Sequence, residues 1–439
     1  MRLAIVLALA ALPTVARAAP DAPAVPTELA DYVFKKDESF AWKLVDTKKA
    51  DTGTVYELDL VSQTWQKIVW DHKLQVFVPK NAKPQATMVL WNQGGRPSAT
   101  SGVLGLQIAE RVGAPVAFLY GVPKQPLFGG KVEDALIAET FVQYLATKDG
   151  SWPLLFPMVK SVVAGMDALQ AFAKKEWDFE VKSFVITGAS KRGWTSWLTA
   201  ASGDKRVKAI APIVIDTLNM PVQMKNQVEA FGKPSEMIKD YTNAKLVPIP
   251  NTPEANKLWR MVDPFVYRDK LTLPKMIING ANDPYWPLDA LNSYWDDLKG
   301  DKWILYVPNA GHDLRETDAN GTKQLLPLRA VNTLGAFARC VIFDKPMPGP
   351  QWVCDEKAGV CKLEVTSATK PVALRVWTAE ADTRDFRKAR WSEDAKAKFP
   401  AEVRAPDKGF RAFFAETEYD LDGLKFTLST QIRILEAKK

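Results

Sequence analysis

A serine, a histidine and an aspartate can together make a hydroxyl into a nucleophile, and this 439-residue sequence sets one of each at the end of an apolar run. Ser190 lies in Ile186-Thr187-Gly188-Ala189-Ser190-Lys191-Arg192-Gly193-Trp194. The residues before it read as a short buried strand and those after it as the start of a helix. A serine on such a turn presents its hydroxyl above a sheet, with helix amides free to point at a ligand oxygen. His312, one of only two histidines, stands in Pro308-Asn309-Ala310-Gly311-His312-Asp313. Asp283 stands in Gly280-Ala281-Asn282-Asp283-Pro284. His312 would take the Ser190 proton and later return it to the leaving group, and the carboxylate would fix the ring tautomer. Asp283 is the first choice for that acid. Asp216, at the end of an earlier strand, is the alternative. The second histidine, His72, reads as structural.

The chain order Ser, Asp, His is that of α/β-hydrolases. An oxyanion hole is expected from the Lys191 amide and the loop Asn92-Gln93-Gly94-Gly95, where paired glycines (Gly94, Gly95) let the backbone approach a substrate. Trp91, Trp194 and Trp286 adjoin these loops and are candidate pocket walls, although packing beneath the loops is the plainer role for tryptophan. Lys191, Arg192 and Arg96 lie near the loops and are candidates to attract an anionic group, although a solvated face is the plainer role for such charges.

These residues need a scaffold, and the pattern of apolar runs supplies one. Residues 53–80 alternate like antiparallel strands, read as Thr54–Leu60, Gln66–Trp70 and Lys73–Pro79. From Ala86 onward continuous apolar strands alternate with helices, including a helix over 132–146 and another over 156–174. This predicts a mostly parallel sheet covered on both faces, hence an α/β fold. Residues 217–270 break the rhythm with polar helical segments and prolines, and read as a helical lid over the strand ends. A last helix is expected over 323–343. Past Pro346, Pro348 and Pro350 the chain becomes short alternating strands, expected to form a small β-sandwich. The expected organisation is a leader over 1–18, a hydrolase unit over 19–348 and a β unit over 349–439.

The leader is read from Arg2, the apolar run Leu3–Val15 and the Ala16-Arg17-Ala18 cleavage pattern, which predict export to the periplasm or the medium. That run is too short to span a bilayer, so no transmembrane segment is expected. Net charge is +7, and losing Arg2 and Arg17 lowers it by two. No basic block or recognition motif points to nucleic acid. Cys354 and Cys361 flank a turn-like stretch and are expected to form a disulfide in an oxidising compartment. Cys340 reads as a buried free thiol. No spacing suits a metal site, and no cofactor is expected. The oligomeric state is left open.

Taken together, Gly188–Trp194, Gly280–Asp283, Gly311-His312 and Thr383-Arg384-Asp385-Phe386-Arg387…Trp391 resemble the PhoPQ-activated pathogenicity-related protein family. The resemblance covers most of residues 30–435. It implies an α/β-hydrolase fold with a β-rich tail and a serine catalytic apparatus, and leaves the substrate open. The common hydrolase elbow has glycine two residues after the serine; here that place is Arg192, and glycine follows at Gly193. This form is similar to the elbow of glucuronoyl esterases, which implies an ester substrate and favours an acidic sugar. The expected function is a serine hydrolase, foremost a carboxylesterase acting on a small-molecule or glycan ester. A serine peptidase on the same residues and a non-catalytic envelope-binding protein are the alternatives.

Overall fold

The computed structural model describes residues 24–394 and 397–438; the expected leader over 1–18 lies outside them. A nine-stranded sheet organises the chain. It opens with three antiparallel strands, β1 (Ala41–Ala50), β2 (Gly53–Trp65) and β3 (Ile68–Pro79). Six strands parallel to one another follow: β4 (Thr87–Asn92), β5 (Val116–Leu119), β6 (Ser183–Ala189), β7 (Val207–Ile213), β8 (Lys275–Gly280) and β9 (Lys302–Val307). The order is β1-β2-β3-β5-β4-β6-β7-β8-β9, so β6 lies inside the sheet with its C-terminal end beside those of β4 and β7. With a serine turn leading from this inner strand into a helix, this is an α/β-hydrolase fold.

The continuous apolar strands are buried on both faces, as their composition requires. Helices α1 (Glu28–Val33), α3 (Glu133–Thr147), α4 (Leu155–Trp177) and α5 (Lys191–Ala201) contribute to one core. Helices α2 (Ala99–Val112) and α9 (Leu328–Ile342) close the other face. Between β7 and β8 the chain forms α6 (Met220–Phe231), α7 (Lys239–Asn243) and α8 (Pro253–Val262). Buried Asp263 accepts from the amides of Asn219 (3.1 Å), Met220 (2.8 Å) and Phe265 (2.9 Å), stapling the two ends of this helical excursion together.

The C-terminal region carries two antiparallel sheets. One holds β10 (Pro350–Lys357), β11 (Val360–Ser367) and β14 (Ala401–Arg404). The other holds β12 (Ala373–Ala381), β13 (Ser392–Asp394), β15 (Phe410–Leu421), β16 (Leu424–Ser429) and β17 (Arg433–Glu436). Leu363, Val376, Val403, Phe413 and Leu435 form the core between them.

Three local expectations change. The segments Gln66–Trp70 and Lys73–Pro79 merge, because the turn is only Gln66 and Lys67, both at positive φ, and β3 then runs unbroken. Strand β1 was invisible to the alternation rule: it is a lysine-rich edge strand that buries little. Helix α9 begins at Leu328 rather than 323, since the preceding residues pair as a Thr317–Lys323 bridge and Pro327 precedes its first turn.

Candidate active site

Ser190 ends β6 and caps α5 with φ 58° and ψ −124°, a conformation that non-glycine residues avoid and that is held here from both sides. Its amide donates to Ile213 O (2.8 Å) and its carbonyl accepts from the Trp194 amide (3.0 Å). Two glycines allow the turn to pack. A Cβ on Gly188 would lie 2.6 Å from Asn92 Nδ2 and 2.7 Å from Arg192 Cβ; one on Gly193 would lie 2.6 Å from the Ile215 side chain. The elbow thus admits Arg192 at the usual glycine position because Gly188 and Gly193 provide the close approach. Buried Asn92 ties β4 to the elbow, donating to Thr187 O (2.7 Å), Arg192 O (3.2 Å) and Ser196 Oγ (3.1 Å).

Asp283 follows β8 and His312 follows β9, parallel neighbours in the sheet. Asp283 Oδ2 lies 2.7 Å from His312 Nδ1, while its Oδ1 accepts from the Tyr285 amide at 2.8 Å. With Nδ1–H donating to the carboxylate, Nε2 is left as the basic nitrogen. That atom is buried and has no hydrogen-bond partner among the described residues. The Tyr285 ring stacks on the imidazole, centroids 4.3 Å apart. Asp216 has a different task. It is fully buried, accepts from Tyr294 Oη and from Asn279 Nδ2 (2.8 Å), and burial pushes its carboxyl up to about 6. Its oxygens are thus occupied away from the imidazole.

The two cations that follow Ser190 are both paired with acids. Arg192 donates through its two terminal nitrogens to Glu133 (2.7 Å each) and through Nε to Val122 O (2.6 Å). Lys191 Nζ lies 2.8 Å from Asp134 and 3.5 Å from Glu133. Adjacent positive charges at the N-terminus of α5 oppose the helix dipole; the acids opening α3 offset them. Burial alone would raise the Glu133 carboxyl, but the Arg192 guanidinium outweighs it and holds the group down at about 2. Glu133 takes φ 51° to reach this position. Arg192 also lies against the neighbouring glycine loop: a Cβ on Gly94 would sit 2.2 Å from its Nη2.

Ser190, Lys191 and His312 line one cleft of about 490 Å³, its mouth included. Its walls are Trp194, Trp286, Trp259, Tyr285 and Ile215, with Met220, Met224, Ile238 and Val247 from the helical excursion. The surface is apolar, and the cations near it are neutralised by Glu133 and Asp134. Of the pocket candidates, Trp194 and Trp286 lie on this cleft, whereas Trp91, Arg96 and Arg192 do not. Trp91 points to the opposite face of β4 and packs on Phe118 (5.5 Å between centroids). Gly95 and Arg96 line a separate wide groove over β2 and β3, together with Trp42, Asp71 and Lys124. Arg192 is committed to Glu133. The anionic attraction expected of Arg192 is therefore spent inside the protein.

Sequence reasoning missed Glu133 and Tyr285 as parts of this arrangement, and placed Asn92 in the glycine loop without its bonds to the elbow. Glu133 fell within the helix expected over 132–146 with nothing in the sequence to couple it to Arg192. Tyr285 had a signal, two residues beyond the acid. His72 is buried, with Nε2 on Ser62 Oγ (2.9 Å) and Nδ1 on Tyr120 O (3.1 Å); burial lowers its pKa to about 4. Cys354 and Cys361 are joined as a disulfide, Cα atoms 5.9 Å apart, diagonal to each other across the β10–β11 hairpin, where Cys354 pairs with Leu363 and Cys361 with Glu356. Cys340 is buried and free, its thiol pushed up to about 11 by burial.

Comparison with known proteins adds the following. Residues 29–387 match the family described as PhoPQ-activated pathogenicity-related protein. The autocrine proliferation repressor protein A of Dictyostelium discoideum is 32% identical, over 90% of this chain and 86% of its own. Among solved structures, acetyl xylan esterase 1 from a Thermoanaerobacterium species superposes with a TM-score of 0.47 at 13% identity, covering 65% of this chain and 86% of that one. An acetyl xylan esterase from a Paenibacillus species gives 0.45 at 11% identity, with the same coverage. At these scores the fold assignment rests on the strand order and the serine turn, not on the superpositions.

Proposed function

The chain belongs to the PhoPQ-activated pathogenicity-related protein family, and from that premise we propose that it is an exported serine hydrolase, a carboxylesterase working through an acyl-enzyme on Ser190, His312 and Asp283. One observation carries the reading. Asp283 holds His312 by Nδ1 and leaves Nε2 unpartnered on the cleft that the strained Ser190 also lines. A neutral imidazole so held is a general base for a neighbouring hydroxyl.

In this reading His312 Nε2 accepts the Ser190 proton as Oγ attacks the ester carbonyl. Asp283 stabilises the resulting imidazolium. The Lys191 amide, in the first turn of α5, and an amide of the Gly94-Gly95 loop hold the oxyanion, aided by the helix dipole. The imidazolium then protonates the leaving alkoxide. Water, deprotonated by the same nitrogen, releases the acid and restores Ser190. The apolar walls assign the cleft to an uncharged acyl or aromatic group, and the glycan or small-molecule alcohol leaves on the solvent side. The neutralised cations argue against an acidic sugar in the cleft itself.

A panel of p-nitrophenyl esters with acyl chains of increasing length, run beside aminoacyl amides, tests this. Ester turnover that disappears in Ser190→Ala is expected, rising with acyl length until the cleft is filled. Turnover of amides alone would make the protein a peptidase. No turnover of either would leave the non-catalytic alternative.

A further inference from the structure

The segment Thr383–Trp391, between β12 and β13, departs from the C-terminal sheet and runs beneath the acid and histidine loops. Asn282, next to Asp283, donates through Nδ2 to Phe386 O (3.0 Å) and Ala389 O (2.8 Å). Asn309, three residues before His312, makes a reciprocal pair with Trp391: its Nδ2 donates to Trp391 O (3.0 Å) and its Oδ1 accepts from the Trp391 amide (2.9 Å). Trp391 is itself buried. Arg390 donates to Thr317 O (2.7 Å), beyond His312 in the same loop. Arg384 bonds Asp289 (2.5 Å), beyond Asp283. Arg387 reaches the helical excursion, 3.1 Å from Glu236 and with its guanidinium 4.0 Å from the centre of the Phe231 ring.

The two loops also touch directly. Asn282 N donates to Ala310 O (2.9 Å), and a Cβ on Gly280 would lie 2.4 Å from Gly311 O. One strap therefore grips the loops of both partners of a 2.7 Å contact through two half-buried side-chain amides: Asn309 pairs both ends with strap backbone, and Asn282 donates twice to it. Two asparagines doing the same work on adjacent loops exceeds what anchoring a tail needs. Loop residues that carry function must be held by something rigid, and misplacement by 1 Å can cost about a hundredfold in rate.

We infer that Thr383–Trp391 is a clasp that sets the Asp283–His312 geometry, with Asn282 and Asn309 as positioning residues. The inference rests on the proposed serine-hydrolase site. The C-terminal sheets are then part of the working enzyme, since they supply the clasp. Charged and titratable groups facing His312 are Asp283 and Tyr285 from the acid loop, Lys191 from α5 and Asp134 from α3; the clasp places no charge on the ring.

The test uses the full chain and Asn309→Ala. The proton between His312 Nδ1 and Asp283 should give a low-field resonance by proton NMR in the wild type. Asn309→Ala should broaden or remove it. Its kcat on a p-nitrophenyl ester should fall roughly tenfold or more with KM little changed, because positioning rather than binding is lost. Asn309→Asp keeps the acceptor for the Trp391 amide and should recover part of each effect; it also decides the matter if Asn309→Ala does not fold. A variant with lowered Tm but with the resonance and kcat of wild type would make Asn309 merely stabilising and overturn the clasp. Loss of the resonance in Asn309→Ala, with no turnover even in wild type, would instead uphold the clasp and overturn the hydrolase reading.

Discussion

Ser190 is held at φ 58° by one bond to β7 and one from the first turn of α5, and two glycines let the turn pack, so the strain sits at the residue proposed as nucleophile. Asp283 and Asp216 are both carboxylates at strand ends, and the structure gives them different neighbours. Asp283 touches the imidazole; Asp216 touches Tyr294 and Asn279. Asp283→Asn should leave the melting temperature within a few degrees and lower kcat by roughly a thousandfold or more, since the amide favours the wrong tautomer. Asp216→Asn should leave kcat within about tenfold. Steady-state kinetics on both variants checks this, and the reverse ranking would return the role to Asp216. That Ser190, Asp283 and His312 would gather at strand ends was legible in the sequence because the chain has only two histidines and each candidate follows an apolar run. What lies around them was not. The Arg192–Glu133 pair joins residues 59 apart in the chain, and no local pattern couples them.

Element by element, the N-terminus of α5 carries the most consequence. Lys191 and Arg192 sit where the helix dipole opposes cations, and Glu133 and Asp134 at the N-terminus of α3 compensate. Arg192 in turn lies against Gly94, so the α3–α5 ion pairs also support the glycine loop from below. The Glu133 carboxyl is lowered from 4.5 to about 2 in the folded chain. A depressed acid contributes stability that is present above the unfolded value and lost as pH falls through the folded one. Glu133→Gln should therefore lower stability at neutral pH and flatten the stability profile between about 4.5 and 2. The neutral-pH cost should be roughly 1–3 kcal/mol, below that of a fully buried pair because Glu133 is a third exposed. Denaturant melts at several pH values check both features; an unchanged acid limb would mean the pair contributes nothing net. The helical excursion illustrates the limits of pattern reading in a second way. Its prolines and polar runs marked it as an interruption, but not that Met220, Met224, Ile238 and Val247 would wall the cleft that Ser190 lines.

At the scale of the whole molecule, the C-terminal sheets are tied into the hydrolase sheet at many points. Arg329 of α9 bonds Glu416 of β15, Ser429 Oγ accepts from the Tyr306 amide, and the strap grips the two site loops. The mostly parallel sheet, both helical layers and a β-rich tail follow from the switch between continuous and alternating apolar runs, whereas the strand order does not. The strap's destination does not, because it depends on backbone carbonyls that carry no sequence signature. Its residues did contribute to the family resemblance, which the match over residues 29–387 bears out. The account turns on a covalent step at one hydroxyl. Treating the protein with a fluorophosphonate, digesting it and locating the adduct by mass spectrometry tests that step most directly. One adduct per chain on Ser190, absent in Ser190→Ala and slowed in Asp283→Asn, is the predicted result. An adduct on another residue, or none under conditions that label a known serine esterase, would contradict it.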